Sequence, residues 1–429
     1  MIILIGTLLV VFALLGVPLF VLVGAGALIG YYSSGIDLQA FATEIYRLAE
    51  MPVLSAIPLF TFAGYLLGES QAPQRLVRLT DAAIGWMPGG LAIVSFLACA
   101  MFTAFTGASG VTIVAIGALL YPALKQARYP ENFSLGLITS SGDLGLLFAP
   151  SIPLILYGII AQQQEVAHNL SISDMFLAGI LPGLLMIVLL VAYSFTVSRK
   201  IEREIQDFSW KQLAKAVRDS SWEFPLPVVV LGGVYSGYFA VSEVAAVTAL
   251  YVLIVEVFIR KEISLQQLPS VMRESMVLVG AILIILGASL ASTNYFIDAE
   301  VPSKLFDFIH THVDSKLTFL ILLNIFLLIL GAMMDIFSAI VLMVPLILPV
   351  AVAYGVHPVH LGIIFLANMQ IGYFTPPVGM NLFIASFRFD KPVSVLYRAT
   401  LPFFFILLFA VLIITYWPEL SLALISSHP

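Results

Sequence analysis

The chain has 429 residues, 61% of them hydrophobic and only 10% charged, with a mean hydropathy of +1.06. Soluble domains carry about 25% charged and roughly 45–50% apolar residues, so this apolar surplus excludes a soluble enzyme and points to a polytopic membrane protein. A formal charge of −6 offers nucleic acid no basic surface, and a single cysteine, Cys99, excludes an internal disulfide or a multi-cysteine metal site.

The first uncharged run, 1–36, has no basic leader and outlasts the apolar core of a signal peptide, so it reads as a retained helix. A second run, 51–68, ends at a basic loop containing Arg75 and Arg78. The run 82–124 then leaves and returns to the same side, because its far end is the basic loop of Lys125 and Arg128. After Trp86–Gly90 too few residues remain for two crossings of about 20 residues each. A re-entrant helical hairpin tipped by Thr106-Gly107-Ala108-Ser109-Gly110 fits better. Next comes a span broken in its middle by SGDLGLLFAPSIP, Ser141 to Pro153, since proline cannot continue a helix without freeing carbonyls.

A further span covers 175–198, followed by 199–223 with six basic and five acidic residues around Phe208, Trp210, Leu213 and Val217. That mixture predicts an amphipathic helix lying on the cytoplasmic face. Spans follow over 224–242, 243–260 and 275–297. From Lys316 the chain again leaves and returns to one side, with a tip near Gly331–Asp335, and then enters a second broken span, NMQIGYFTPPVG, Asn368 to Gly379. One last span covers 399–418. His310, His312, His357 and His360 read as solvated loop histidines, without the spacing of a zinc site.

All basic residues except Arg47, Lys304 and Lys316 fall in loops on one side of this path. Basic loops stay cytoplasmic, so the N-terminus is expected inside and the C-terminus outside. The two hairpin-plus-break units also match at an offset of 226 residues, with Gly136 on Gly362, Phe148 on Phe374 and Pro150 on Pro376. They start from opposite sides of the membrane. The expected fold is therefore an all-α polytopic membrane protein with inverted repeats, the architecture of secondary transporters whose site lies at the repeat interface.

No Lys or Arg lies in either hairpin or broken span, which leaves half-helix N-termini as the source of positive potential for an anion. Freed carbonyls and the hydroxyls of Thr106, Ser109, Ser151 and Thr375 are hard oxygen ligands suited to an alkali cation. The pattern fits a sodium-coupled carrier for an organic anion; the alternative for each hydroxyl is a bond back to its own helix. Asp143 and Asp335 are intramembrane acids, for which a charge role is the default, while Asp335 could equally cap its return helix. Rival readings are a stand-alone ion- or proton-coupled organic anion transporter, an ion channel, and an intramembrane aspartyl protease; the last lacks the expected Tyr-Asp partner, because Met334 precedes Asp335.

GASGVTIVAIGALLYPAL with LGLLFAPSIPLILYG, and the run from MMDIFSAIVL to TPPVGMNLFIASF, resemble the two units of the large permease subunit of TRAP (tripartite ATP-independent periplasmic) transporters, the DctM type. The resemblance covers essentially the whole chain. Ala149-Pro150 stands where that family usually has Pro-Pro, and Asp143 where a small or hydroxyl residue is common. The resemblance implies a bacterial inner-membrane importer of carboxylate-bearing solutes such as C4-dicarboxylates or sialic acid. It implies a separate small four-helix membrane subunit, a periplasmic binding protein, a sodium gradient as driving force and an elevator motion. The absence of a phosphate-binding glycine loop agrees with independence of ATP. On this basis 1–81, 166–315 and 389–429 are expected to form a scaffold, and 82–165 and 316–388 the two transport units. One sodium site is placed at Thr106, Gly107, Ser109, Gly145, Pro150 and Ser151. The other is placed at Gly331, Asp335, Gly372, Thr375, Pro376 and Gly379. The substrate carboxylate is placed between the tips, touching Ser109 and Asn381.

Overall fold

A computed structural model describes every residue except 1–7, 9, 10, 13, 14, 16, 88, 168, 200–207, 236–238 and 426–429. Parts of the expected first span and of the expected amphipathic segment thus lie outside the described residues. Everything regular among the described residues is helical. The elements run α1 (Leu19–Ser34), α2 (Gln39–Ala49), α3 (Ala56–Glu69), α4 (Ala72–Ile84), α5 (Gly90–Thr106), α6 (Ser109–Gln126), α7 (Glu131–Ser141) and α8 (Ile152–Gln162). They continue as α9 (Ile172–Ser198), α10 (Trp210–Asp219), α11 (Pro225–Tyr235), α12 (Val241–Leu253), α13 (Leu268–Asp298) and α14 (Val301–His312). The last are α15 (Lys316–Met333), α16 (Ile336–Ala353), α17 (Pro358–Gly372), α18 (Met380–Phe389), α19 (Val393–Tyr416) and α20 (Glu419–Leu422). Among the described residues eight helices are long and apolar enough to cross a membrane, or nine when α7 and α8, bent by 43°, count as one broken span.

Each unit is a helical hairpin followed by a broken helix. In the first, α5 stops at Gly107, whose φ of +65° suits glycine because it has no Cβ to clash; extended Ala108 then starts α6. Helix α7 ends at Ser141, a 3-10 turn covers Leu144–Leu147, and α8 starts with Pro153 in its first turn, where a missing amide costs nothing. In the second unit, extended Met334 separates α15 from α16, and Asp335 caps α16 by accepting from the Ser338 amide at 2.9 Å. Helix α17 gives way at Thr375-Pro376-Pro377, and Gly379 (φ +59°) leads into α18.

The two units interlock crosswise. The return arm of the first hairpin, α6, packs on α18, and the return arm of the second, α16, packs on α8. Helices α9 and α19 pack on each other and on α17, with α19 also lying along α7. A second, smaller apolar cluster joins α3, α11, α12 and α13 through Leu66, Leu226, Val252 and Val271, and α1 lies along α13.

One expectation changes. His360 is no solvated loop residue: Pro358 starts α17 two residues before it, which places it in a buried first turn. There it lies 3.2 Å from the Ser421 hydroxyl and 3.3 Å from the Thr415 carbonyl oxygen. His310 and His312 are exposed but belong to helix α14. Within 199–223 the described helix is only the ten residues of α10. It packs on α4 and buries Ala216, while Trp210 and Val217 face outward.

Candidate functional site

The tips of the two hairpins line one cavity of about 720 Å³. Gly107 to Val111 form one wall, Asp335 to Ser338 another, and Tyr65, Glu69 and Glu274 on α3 and α13 close the far side. The N-terminal turns of α6 and α16 both begin at this cavity, and such turns carry unpaired amides and the positive end of the helix dipole. The lining holds hydroxyls and carboxylates but no Lys, Arg or His. A cation would meet hard oxygens there, and an anion would meet only helix starts.

Around the first tip, Gly107 abuts Ile152, beside buried Pro150 and Ser151. The Ser151 hydroxyl is fully buried and makes no hydrogen bond, so its oxygen remains able to take a cation. Thr106 is buried, with only 3.5 Å contacts to Ala108. Gly145 packs on α5 so closely that a Cβ there would lie 2.3 Å from the Ala100 carbonyl oxygen. Around the second tip, Gly331 and Gly372 bring the backbones of α15 and α17 together, and the Gly379 amide donates to the Ala332 carbonyl at 3.1 Å. The Thr375 hydroxyl donates to its own helix at Ile371, 2.6 Å away, which leaves its lone pairs for a cation. Pro376 is exposed on the outside of the turn.

Asn381 and Asp143 do not line the cavity. Both are buried behind Ser109: the Asn381 amide donates to Asp143 Oδ2 at 2.6 Å, and the Ser109 hydroxyl donates to Asn381 Oδ1 at 2.8 Å. Asp335 caps α16 through both the amide and the hydroxyl of Ser338. Two substitutions separate cap from charge. Asp335→Asn keeps a capping acceptor and is expected to hold stability, whereas Asp335→Ala is expected to cost about 0.5–2 kcal/mol in thermal unfolding. Loss of uptake in Asp335→Asn at unchanged stability would assign a role to the charge; normal uptake would leave Asp335 as a cap alone.

Sequence reasoning missed Tyr373, whose hydroxyl accepts from the Ile336 amide at 2.6 Å and ties the second break to the second tip. It also missed buried Asn324, which accepts from Asn368 and Thr415. An amide in an otherwise apolar span was the available signal for Asn324; for Tyr373 there was none. Among the described residues no three His, Cys, Asp or Glu side chains gather as a metal cluster.

Residues 6–420 match the family model described as the DctM component of the tripartite ATP-independent periplasmic transporter. This chain belongs to that family. A C4-dicarboxylate TRAP transporter large permease protein of Pseudomonas aeruginosa is 33% identical over 401 residues, covering 93% of this chain and 92% of that protein. A sialic acid TRAP transporter large permease protein of Vibrio cholerae is 30% identical over 373 residues, covering 86% of each. An isethionate TRAP transporter permease protein of Oleidesulfovibrio alaskensis is 33% identical over 414 residues and 96% of this chain. The chain spans 64% of that protein's length. The solved structure of the YdaH transporter of Alcanivorax borkumensis shares the fold, with a TM-score of 0.63 at 13% identity over 90% of this chain and 88% of that one. The DctM chain is thus a multi-pass TRAP permease and not an enzyme, which removes the protease reading.

Proposed function

We propose that this DctM chain is the sodium-coupled permease of an importer for carboxylate-bearing solutes, working with a separate small membrane subunit and a periplasmic binding protein. The observation that carries the reading is a cavity at which both hairpin tips meet, with apolar walls whose polar groups are hydroxyls, carboxylates and helix N-termini and include no basic side chain. Sodium is cargo in this scheme. One ion is held at the first tip by the Thr106, Ser109 and Ser151 oxygens with backbone carbonyls near Gly107, Gly145 and Pro150. The other is held at the second tip by Asp335, Thr375 and the freed carbonyls around Gly331, Gly372, Pro376 and Gly379. The substrate carboxylate lies against the starts of α6 and α16, with Ser109 at hand and Asn381 orienting it from behind. Relatives named for C4-dicarboxylates and sialic acid support a carboxylate substrate.

Movement is of the elevator kind in this reading. The interlocked units travel past α3 and α13, whose faces form the far wall of the cavity. The units are re-entrant hairpins with broken helices, although α6, α15 and α16 each have the length of a span. The protein sits in the bacterial inner membrane, N-terminus cytoplasmic and C-terminus periplasmic.

Thermal unfolding in sodium against potassium, at equal ionic strength, tests the coupling ion. Sodium at about 100 times its dissociation constant should stabilise by roughly 2.7 kcal/mol, and Thr375→Ala should lose part of that gain. Equal stability in the two salts would overturn sodium coupling.

A further inference from the structure

A line of hydrogen bonds runs from one hairpin to the other through the interior of the two units. Thr103 on α5 contacts Thr112 on α6 at 2.6 Å and donates to the Gly142 carbonyl at 2.7 Å, so both arms of the first hairpin grip the residue before Asp143. The Asp143 carboxylate, 1% exposed, accepts from the Asn381 amide at 2.6 Å. That same amide reaches the Thr139 carbonyl at 3.4 Å, and its oxygen accepts from Ser109 at 2.8 Å. Beyond it, the Asn381 backbone amide donates to the Tyr373 carbonyl at 2.9 Å, and the Tyr373 hydroxyl accepts from Ile336 at the second tip. Each link is a specific donor–acceptor pair, and the path changes unit at Asn381, through Asp143, Ser109 and Thr139.

We propose that Asp143 is a positioning residue that couples the two cation sites, by holding Asn381 so that the first tip and the second break order together. The inference rests on the sodium reading above. Losing the Asn381 donor would leave Asp143 Oδ2 buried without its hydrogen bond, beside an Oδ1 that makes none, and an unpaired buried polar group is costly. A cation that draws the first tip onto its break therefore fixes Asp143, then Asn381, then the backbone of the second break. The benefit to a symporter is that partly loaded units stay disordered at the empty site and do not leak ions. A contiguous path by itself is spatial; energetic coupling is what must be measured.

The measurement is a sodium titration of the purified chain's protection against thermal unfolding, with potassium keeping ionic strength constant. Wild type should titrate with a Hill slope above about 1.5, and Asp143→Ala with a slope near 1 and a weaker midpoint. Couplings of this kind span about 5- to 150-fold in affinity. Asn381→Asp alone, which sets two carboxyl groups against each other, should also be shallow. The exchange Asp143→Asn with Asn381→Asp should restore the steep slope. The amide introduced at 143 then donates to the carboxylate introduced at 381, and Ser109 still donates to its other oxygen. A merely structural defect would lower sodium-free stability and would leave the slope alone. Should Asp143→Ala fail to fold, Asp143→Asn keeps an acceptor for Asn381 and should give an intermediate slope. Steep binding in the Asp143 variants, or a shallow double exchange, would overturn the coupling while leaving sodium binding intact. A wild type that ignores sodium would overturn the transport reading itself.

Discussion

Arg75→Met is expected to destabilise the protein by about 3–5 kcal/mol, the cost of leaving buried charges without their partner. Arg75 lies at the start of α4, the segment between α3 and the first hairpin, and is 5% exposed. It contacts Glu223 at 2.5 Å, Glu256 at 3.3 Å, and Glu262. Glu256 sits on a π-helical turn, Ile254–Ile259, that extends α12; such turns locally redirect side chains. Arg260 also faces Glu223 and Glu262, at 3.6 and 3.9 Å. Two arginines thus meet three carboxylates, and removing Arg75 takes away the guanidinium that Glu256 contacts. Glu256→Gln should cost less than about 1 kcal/mol, because it leaves two charges of each sign paired. Thermal unfolding of the two variants side by side provides the check, and an Arg75→Met loss no larger than that of Glu256→Gln would sink the account.

The cluster also has a pH signature. Burial opposes ionisation of Glu262, yet the Gln71 amide and the Arg75 guanidinium hold its carboxyl below the ordinary glutamate value. A lowered folded value means that the stabilisation is fully present above the unfolded value and is lost as pH falls through the folded one. The contribution of Glu262 therefore holds at neutral pH and fades only in acid.

Gly372→Ala is the second change with a large expected effect. A Cβ at Gly372 would lie 2.4 Å from the Gly331 carbonyl carbon and 2.8 Å from the Ala332 nitrogen. Those atoms are backbone and cannot swing aside, so α15 and α17 must part. Overpacking of this kind costs about 1–3 kcal/mol, and spread oxygens around the second cation should weaken sodium-dependent uptake by about tenfold. Gly280→Ala on α13, where nothing lies within 4 Å, is the matched control and should leave uptake unchanged. Equal uptake in the two variants would show that the close approach of tip and break is irrelevant.

Much of this was legible from residues alone. Uncharged runs of sufficient length located the spans, because a buried charge in hydrocarbon is expensive. Proline and glycine marked both breaks, because neither lets a helix continue undisturbed. The turn expected within Thr106–Gly110 falls at Gly107-Ala108, and that expected near Gly331–Asp335 falls at Met334-Asp335. Capping by Asp335 was already one of two readings, since an aspartate directly before an apolar helical run is a cap signature.

Other features were invisible in one dimension. His360 lies five residues after a turn glycine and looks solvated in sequence; its burial depends on α20 and the end of α19, some 55 and more residues away. Asn381 reads as a polar residue at a tip, but its partners are 238 and 272 residues distant. Local pattern determined which segments are helices, where they stop, and that a membrane surrounds them, because helix propensity, chain breaks and hydropathy act within a few residues. Tertiary structure alone decided that the units interlock crosswise, that both tips share one cavity, and that Asp143 pairs with the Asn381 amide. Those outcomes depend on which distant backbones can approach closely enough to pair their buried polar groups.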